Sequence, residues 1–221
     1  MDAPFALSKE LEKNEILKYG IPSKYGVDWA NFQLALHVLK DDGKAIVTTT
    51  TGALFRTRDY NIRKAIVEED KIEAVILLPS SLYKNTSIPS ALIVFNKKKS
   101  DKRKNTIIFI DASSEYVRKN RQQNTITKDS IEKIITCYKK GNEIEGFCTI
   151  SDINNVRDNG YNLNSKVYIN AKVLEKRLSK TIYLKDVAQV LPGVQVSNND
   201  MKSLKVNPTH YFLNIKNIQE D

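Results

Sequence analysis

Apolar side chains recur along most of the chain in two patterns, helical spacing and short unbroken runs. Trp29, Phe32, Ala35, Leu36 and Leu39 fall at helical intervals, which predicts an amphipathic helix over 29–40, stopped by Asp42-Gly43. The run Ala45-Ile46-Val47 then reads as a strand, and Tyr60 to Val67 as a second helix with Asp59 placed to cap it. Ala74-Val75-Ile76-Leu77-Leu78 is wholly apolar and ends at Pro79, as a strand does when both faces of its sheet are covered. Ala91–Phe95 and Ile107–Ile110 repeat the pattern. Residues 96–105 between them are charged and turn-like, which places these two strands as antiparallel neighbours at a sheet edge. A third helix is predicted from Asp129 to Lys140. Thr127 is its cap, Ile131, Ile134, Ile135 and Tyr138 its apolar stripe, and Gly141 its end. Strands alternating with helices imply an α/β sheet with helices on its faces.

Beyond Gly141 the texture changes. Residues 151–166 are rich in Asn and Asp and read as loop, and 169–178 as a short linking helix. From Ile182 a new pattern begins, with a turn at Pro192-Gly193 and a strand-like run at Tyr211–Ile215. The expected organisation is a main domain over 1–150, a linker over 151–180, and the opening of a second domain over 181–221.

Composition narrows the class. The 221 residues are 41% hydrophobic and 28% charged, with no apolar run of membrane-span length and no basic-then-apolar leader. Two cysteines, Cys137 and Cys148, read as thiols of a reducing compartment, so a cytoplasmic protein is expected. The net charge of +9 is concentrated, because residues 97–140 carry 13 basic and 5 acidic side chains. Lys97, Lys98, Lys99, Lys102, Arg103, Lys104, Arg118, Lys119 and Arg121 form the candidate DNA-binding set, since clustered cations suit phosphate contacts. The alternative is a loop kept in solution by lysines. His37 and His210 are isolated and the cysteines lack zinc spacing, so no metal site is expected.

Asp2-Ala3-Pro4-Phe5 is the sharpest local signal. Exocyclic-amine methyltransferases use a four-residue element with Asn, Asp or Ser first, proline third and an aromatic fourth. The amine of adenine is a poor nucleophile because its lone pair is delocalised into the ring. A side-chain oxygen and a main-chain carbonyl that accept its two hydrogens hold the nitrogen toward a methyl donor and favour the charge that develops on it. Asp2 would offer the oxygen, Ala3 the carbonyl, Pro4 a rigid turn and Phe5 a stacking face for a flipped base. Ala3 stands where a proline is usual, which keeps the carbonyl but not the rigidity.

With Asp2–Phe5, five further segments follow in one order: Asn31–Leu39 with Gly43–Val47, Gly52–Arg56, Ile72–Pro79, Thr86–Pro89 with Asn96-Lys97, and Phe109–Ser113. In that order the chain resembles the second half of the methyltransferase subunits of type I restriction systems and their N6-adenine relatives, over about residues 1–165. The resemblance implies a partial class I, Rossmann-like methyltransferase sheet with an antiparallel edge. It implies DNA adenine-N6 methylation with S-adenosylmethionine as donor, and double-stranded DNA and other methyltransferase or specificity subunits as partners. It makes Tyr83, Thr86, Ser87, Ile88 and Pro89 the loop that closes over the target base. It likens Leu184–Gly193 with Tyr211–Ile215 to the start of a target-recognition domain.

The same resemblance places the cofactor half before Asp2, and the chain itself contains no Gly-x-Gly turn. Two readings therefore stand. One is the base-binding half of an enzyme, inactive until joined to its cofactor half. The other is a non-catalytic module that binds DNA or a partner subunit. An unrelated nucleotide-binding protein would need a phosphate loop, and none is found.

Overall fold

A computed structural model of the chain describes residues 15–23, 27–84 and 86–177. The predicted strands are present as β1 (Lys44–Thr50), β2 (Ile72–Leu77), β3 (Ser90–Asn96) and β4 (Thr106–Asp111). They form one five-stranded sheet with β7 (Cys148–Asp152), in the order β1-β3-β2-β4-β7. A two-stranded ribbon, β5 (Val117–Arg118) and β6 (Asn124–Thr125), stands apart from it. Strand β3 runs antiparallel to both β1 and β2, β2 runs parallel to β4, and β4 runs antiparallel to β7.

This order corrects one expectation. Strands β3 and β4 are not neighbours, because β2 lies between them and the charged link 97–105 crosses from one side of β2 to the other. Every residue of β2 is buried, and β3 and β4 are nearly as buried, so no polar face marks any of the three as an edge. Both edges of the sheet are antiparallel, made by β1 and by β7.

Helices α1 (Val27–Val38), α2 (Tyr60–Glu68), α4 (Ile153–Asp158) and α5 (Ser165–Arg177) contribute to the core on one face of the sheet. That core joins Trp29, Phe32, Ile66, Val75, Phe95 and Phe109, and the Tyr168 ring stacks on Phe109 at 3.9 Å with 14° between planes. The opposite face carries α3 (Lys128–Lys140), with Cys137 packed among Ala74, Ile76, Val94, Ile108 and Ile110. The predicted caps of α3 are present: Thr127 Oγ1 accepts the Ser130 amide at 3.2 Å, and Gly141 takes a left-handed φ of 69°. The stripe is rotated from the expected one. Ile134, Cys137 and Tyr138 face the sheet, while Ile131 and Ile135 are exposed.

Helix α1 is less amphipathic than its spacing suggested, because its polar residues Asp28 and Gln33 are buried too. Gln33 accepts the Tyr19 amide at 2.8 Å and donates to the Gly20 carbonyl at 2.9 Å, while Asp28 accepts Thr49 Oγ1 at 2.7 Å. Asp59 does not cap α2. Its carboxylate accepts the Ser23 amide at 3.2 Å and lies 3.9 Å from Arg56 Nη1. In β2 the pairs Ile72↔Phe95 and Ala74↔Val94 leave Glu73 as an extra residue. The bulge turns its carboxylate to Tyr138 Oη at 2.7 Å and Lys44 Nζ at 3.1 Å.

Residues 148–165 hold more structure than their composition suggested. Strand β7 and helix α4 occupy much of the expected loop, with Asp152 accepting the Asn155 amide at 2.8 Å as the cap of α4. Ile153 and Val156 reach the core from α4. The following turn supplies the Tyr161 carbonyl, which accepts from the buried Arg63 Nε at 2.6 Å. Arg157 ties α4 to α2 by donating to both oxygens of Glu68 at 3.0 and 2.9 Å, and Tyr161 Oη donates to the same carboxylate at 2.5 Å.

Those donors, Arg157 first, hold the Glu68 carboxyl down to about 2 from its ordinary 4.5. A carboxyl lowered on folding stabilises the folded state fully above its unfolded value, and that contribution fades as pH falls through the folded value. The stability difference between wild type and Glu68→Gln is therefore expected to be present at pH 6 and to vanish as pH falls from about 4.5 to about 2. Denaturant unfolding at pH 6 and pH 2.5 measures it, and an equal difference at both values would refute the assignment. The effect is small because the pair lies in solvent.

Among the described residues no helix is long and apolar enough to cross a membrane, and no group of His, Cys, Asp or Glu is placed to hold a metal. Cys137 and Cys148 are buried free thiols, and burial beside Cys137 pushes Cys148 up to about 12.

Candidate nucleic-acid interface

The carboxyl ends of β1, β2 and β4 lie at one end of the sheet, where β3 begins: Thr50 pairs with Ser90 and Leu77 with Asp111. Open α/β sheets bind their ligands at this end. The chain leaves β2 through buried Leu78 and Pro79, turns at Ser80-Ser81, and returns to β3 through Ile88-Pro89. Two bonds hold the ends of this loop, from the Leu78 amide to the Ser90 carbonyl at 2.9 Å and from the Thr51 amide to the Pro89 carbonyl at 3.3 Å. Within it, Thr86 Oγ1 accepts the Ile88 amide at 3.1 Å and the Thr86 amide meets the Tyr83 carbonyl at 3.5 Å. Ser81 adopts a φ of 56°, the left-handed region uncommon for a residue with a Cβ. Tyr83 is half-buried, and Ser87, Ile88 and Pro89 are exposed.

The ribbon β5–β6 leans on this loop. The Asn124 amide donates to the Ser81 carbonyl at 2.8 Å, its side-chain amide to the Ser80 carbonyl at 2.9 Å, and Gln123 Nε2 to the Leu82 carbonyl at 3.0 Å. Asn120 Oδ1 closes the turn by accepting the amides of Gln122 and Gln123, each at 2.9 Å. Between loop and ribbon lies an open groove of about 540 Å³, lined by Lys84, Arg118 and Arg121 together with hydroxyls and amides, and, among the described residues, by no acidic side chain. Thr86 and Ser87 of the predicted base loop line the same groove.

The basic stretch is therefore divided. Strand β4 separates residues 97–104 from the groove by its own length, roughly 20 Å at strand rise. Within 97–104 most cations have partners in the fold. Lys97 Nζ donates to the Leu39 carbonyl at 2.5 Å, Arg103 Nη2 to the Tyr138 carbonyl at the end of α3 at 3.0 Å, and Lys104 pairs with Asp101 at 2.7 Å. Lys99 is buried, with its ammonium 2.5 Å from Asp70 and 2.8 Å from the Thr106 carbonyl. That corrects the expectation for Lys99, because a buried, paired ammonium cannot reach a phosphate. Lys98 and Lys102 are exposed at the same end. Arg118, Lys119 and Arg121 are exposed at the groove end, and among the described residues none forms an ion pair with a carboxylate.

Asp2, Ala3, Pro4 and Phe5 lie outside the described residues, as does the expected target-recognition segment from 181 onward. Sequence reasoning passed over Lys84, although it sits inside the segment Tyr83–Pro89 and is a cation within a loop otherwise made of neutral side chains. It also missed the ribbon, whose strands are too short to leave a pattern. Gly52 lies in the turn after β1 at this end of the sheet, where an added Cβ would meet the Arg56 guanidinium at 3.3 Å.

A family model described as N-6 DNA Methylase matches residues 2–177. The chain belongs to this family. Among curated relatives, the type I restriction enzyme MjaVIII methylase subunit of Methanocaldococcus jannaschii is 40% identical over 158 residues, covering 70% of this chain and 27% of the relative. The crystal structure of the type I restriction-modification methyltransferase subunit from Streptococcus thermophilus superposes with a TM-score of 0.63 at 34% identity, over 68% of this chain and 32% of that one. The type I restriction enzyme EcoKI M protein shares the fold at a TM-score of 0.57 and 12% identity, over 83% of this chain and 50% of that one. The chain spans about a quarter of the length of the curated methylase subunits it matches.

Proposed function

We propose that this chain supplies the target-base side of a DNA adenine-N6 methyltransferase of a type I restriction-modification system. The observation that carries the reading is the family match over residues 2–177 together with the meeting, in one groove, of the predicted base loop and a cationic ribbon. In this reading Asp2 and the Ala3 carbonyl accept the two hydrogens of the adenine amine, and Phe5 stacks on the extruded base. Tyr83 and the segment Thr86–Pro89 close on the base from the other side. Arg118, Lys119 and Arg121 contact the DNA backbone. S-adenosylmethionine is the methyl donor, held by residues outside the described ones. The partners are double-stranded DNA, a cofactor-binding half and the other subunits of the complex, with 181–221 opening a target-recognition region.

The test is mass spectrometry of DNA incubated with the complete assembly and S-adenosylmethionine. N6-methyladenine is the expected product. DNA binding without any methylated adenine would instead identify a non-catalytic binding module.

A further inference from the structure

We infer that Lys84, Arg118 and Arg121 together form a phosphate clamp that grips the DNA strand carrying the target adenine without reading its sequence; this rests on the DNA-modifying role proposed above. Three observations point to phosphate as the ligand. The first is charge, since these three cations line the groove and no acidic side chain does among the described residues. The second is that two of the three amides lining the groove, those of Gln123 and Asn124, are already occupied. Bidentate recognition of adenine is the natural role of a free Asn or Gln amide. Here Gln123 and Asn124 donate to loop carbonyls, and Asn120 Oδ1 holds the ribbon turn. Beside the Gln122 amide, the groove presents guanidinium, ammonium and hydroxyl groups, which contact phosphate and sugar.

The third observation is placement. Lys84 comes from the base loop and the two arginines from the ribbon, so the clamp has one jaw on each side of the groove. Asn124 ties the jaws together through Ser80 and Ser81. A groove of about 540 Å³ falls in the range that holds a compact ligand, which here corresponds to a short stretch of sugar-phosphate. A strand gripped there lies against Thr86 and Ser87, next to the loop assigned to the extruded base.

Fluorescence anisotropy on the complete assembly, with a mixed-sequence duplex and the same duplex carrying one unpaired adenine, tests the clamp across a salt series. Each phosphate contact contributes about 0.9 to the slope of log affinity against log salt. Arg118→Gln/Arg121→Gln is expected to make that slope shallower by about 2, and adding Lys84→Gln by about 1 more, equally on both duplexes. Lys98→Gln/Lys102→Gln, which removes two exposed cations from the other end of the sheet, is expected to leave the slope within about 0.5 of wild type. An unchanged slope in the arginine pair, while the wild-type assembly binds DNA normally, would overturn the clamp and leave the DNA-modifying role standing. An equal loss in the control pair would overturn it as well, because the effect would then be one of overall charge. Failure of the wild-type assembly to bind either duplex would remove the parent reading, and the clamp with it. All these side chains are exposed, so unchanged thermal unfolding is the accompanying check on folding.

Discussion

Methyl transfer by the complete assembly is expected to fall by about 10²–10³-fold when Asp2 is replaced by alanine, with binding of unmethylated DNA changed far less. The argument is one of differential stabilisation. The adenine amine gains positive character only as the methyl group arrives, so an oxygen that accepts its hydrogens is worth most at that moment. Loss of such a group lowers turnover and leaves the ground-state complex largely intact. Asp2→Asn, which retains an acceptor oxygen without the charge, is expected to keep a substantial part of the rate, and Asp2→Ala little of it. Single-turnover transfer of labelled methyl groups to DNA, with affinity measured in parallel, separates the two quantities. Equal losses in affinity and rate would show that Asp2 acts in binding or folding and not on the amine.

The second large effect lies in the core. Trp29 is fully buried, meets Phe32 edge-on at 4.9 Å and donates its indole N–H to the Ala53 carbonyl at 3.0 Å. Ala53 belongs to the short turn Thr51–Leu54 that follows β1 at the carboxyl end of the sheet. Trp29→Ala is expected to cost about 3–5 kcal/mol through the cavity and the orphaned carbonyl, lowering the thermal midpoint by roughly 10 °C. Trp29→Phe fills most of the space but leaves the Ala53 carbonyl without its donor, and about 1–3 kcal/mol is expected. Calorimetric unfolding of both variants measures the difference. A Trp29→Phe variant as unstable as Trp29→Ala would mean that the hydrogen bond outweighs the packing. In either case the disturbance reaches the turn that receives the base loop through the bond between Thr51 and Pro89.

Much of this architecture is legible in the sequence. The runs at 74–78, 91–95 and 107–110 became strands because unbroken apolar stretches of that length have few other ways to bury both faces. The same property hid their order. A strand apolar on both sides fits next to any neighbour, so nothing in the runs placed β3 between β1 and β2. The Asn- and Asp-rich stretch 151–166 reads as loop, since both residue types disfavour helix interiors, yet it contains α4. Tertiary contacts override that preference, through the Asp152 cap, Ile153 and Val156 in the core, and Arg157 on Glu68. Spacing puts Ile131 and Ile135 in the apolar stripe of α3, yet both are exposed, because spacing alone does not say which of two adjacent apolar rows meets the sheet.

For the candidate site, charge density was legible and its use was not. Lys99 and Arg121 are indistinguishable in a list of cations. Only the fold shows that one ends beside Asp70 in the interior and the other at the rim of a groove. The distinction arises from contacts across long stretches of chain, such as Lys97 with Leu39 and Arg103 with Tyr138, which no local pattern encodes. Lys84 went unnoticed for a related reason, because its significance depends on a ribbon more than 30 residues further along the chain.

The joint between that ribbon and the base loop also has a kinetic meaning. The Asn124 amide is bonded to the Ser81 carbonyl, while most residues from 116 to 122 lie open to water. Its proton can be traded for deuterium only when loop and ribbon part, whereas the tip amides without such a bond trade theirs freely. Deuterium uptake at Asn124 thus clocks the opening of the groove itself. Substrate that bridges the two jaws slows that clock, even where it leaves the average positions of the backbone unaltered.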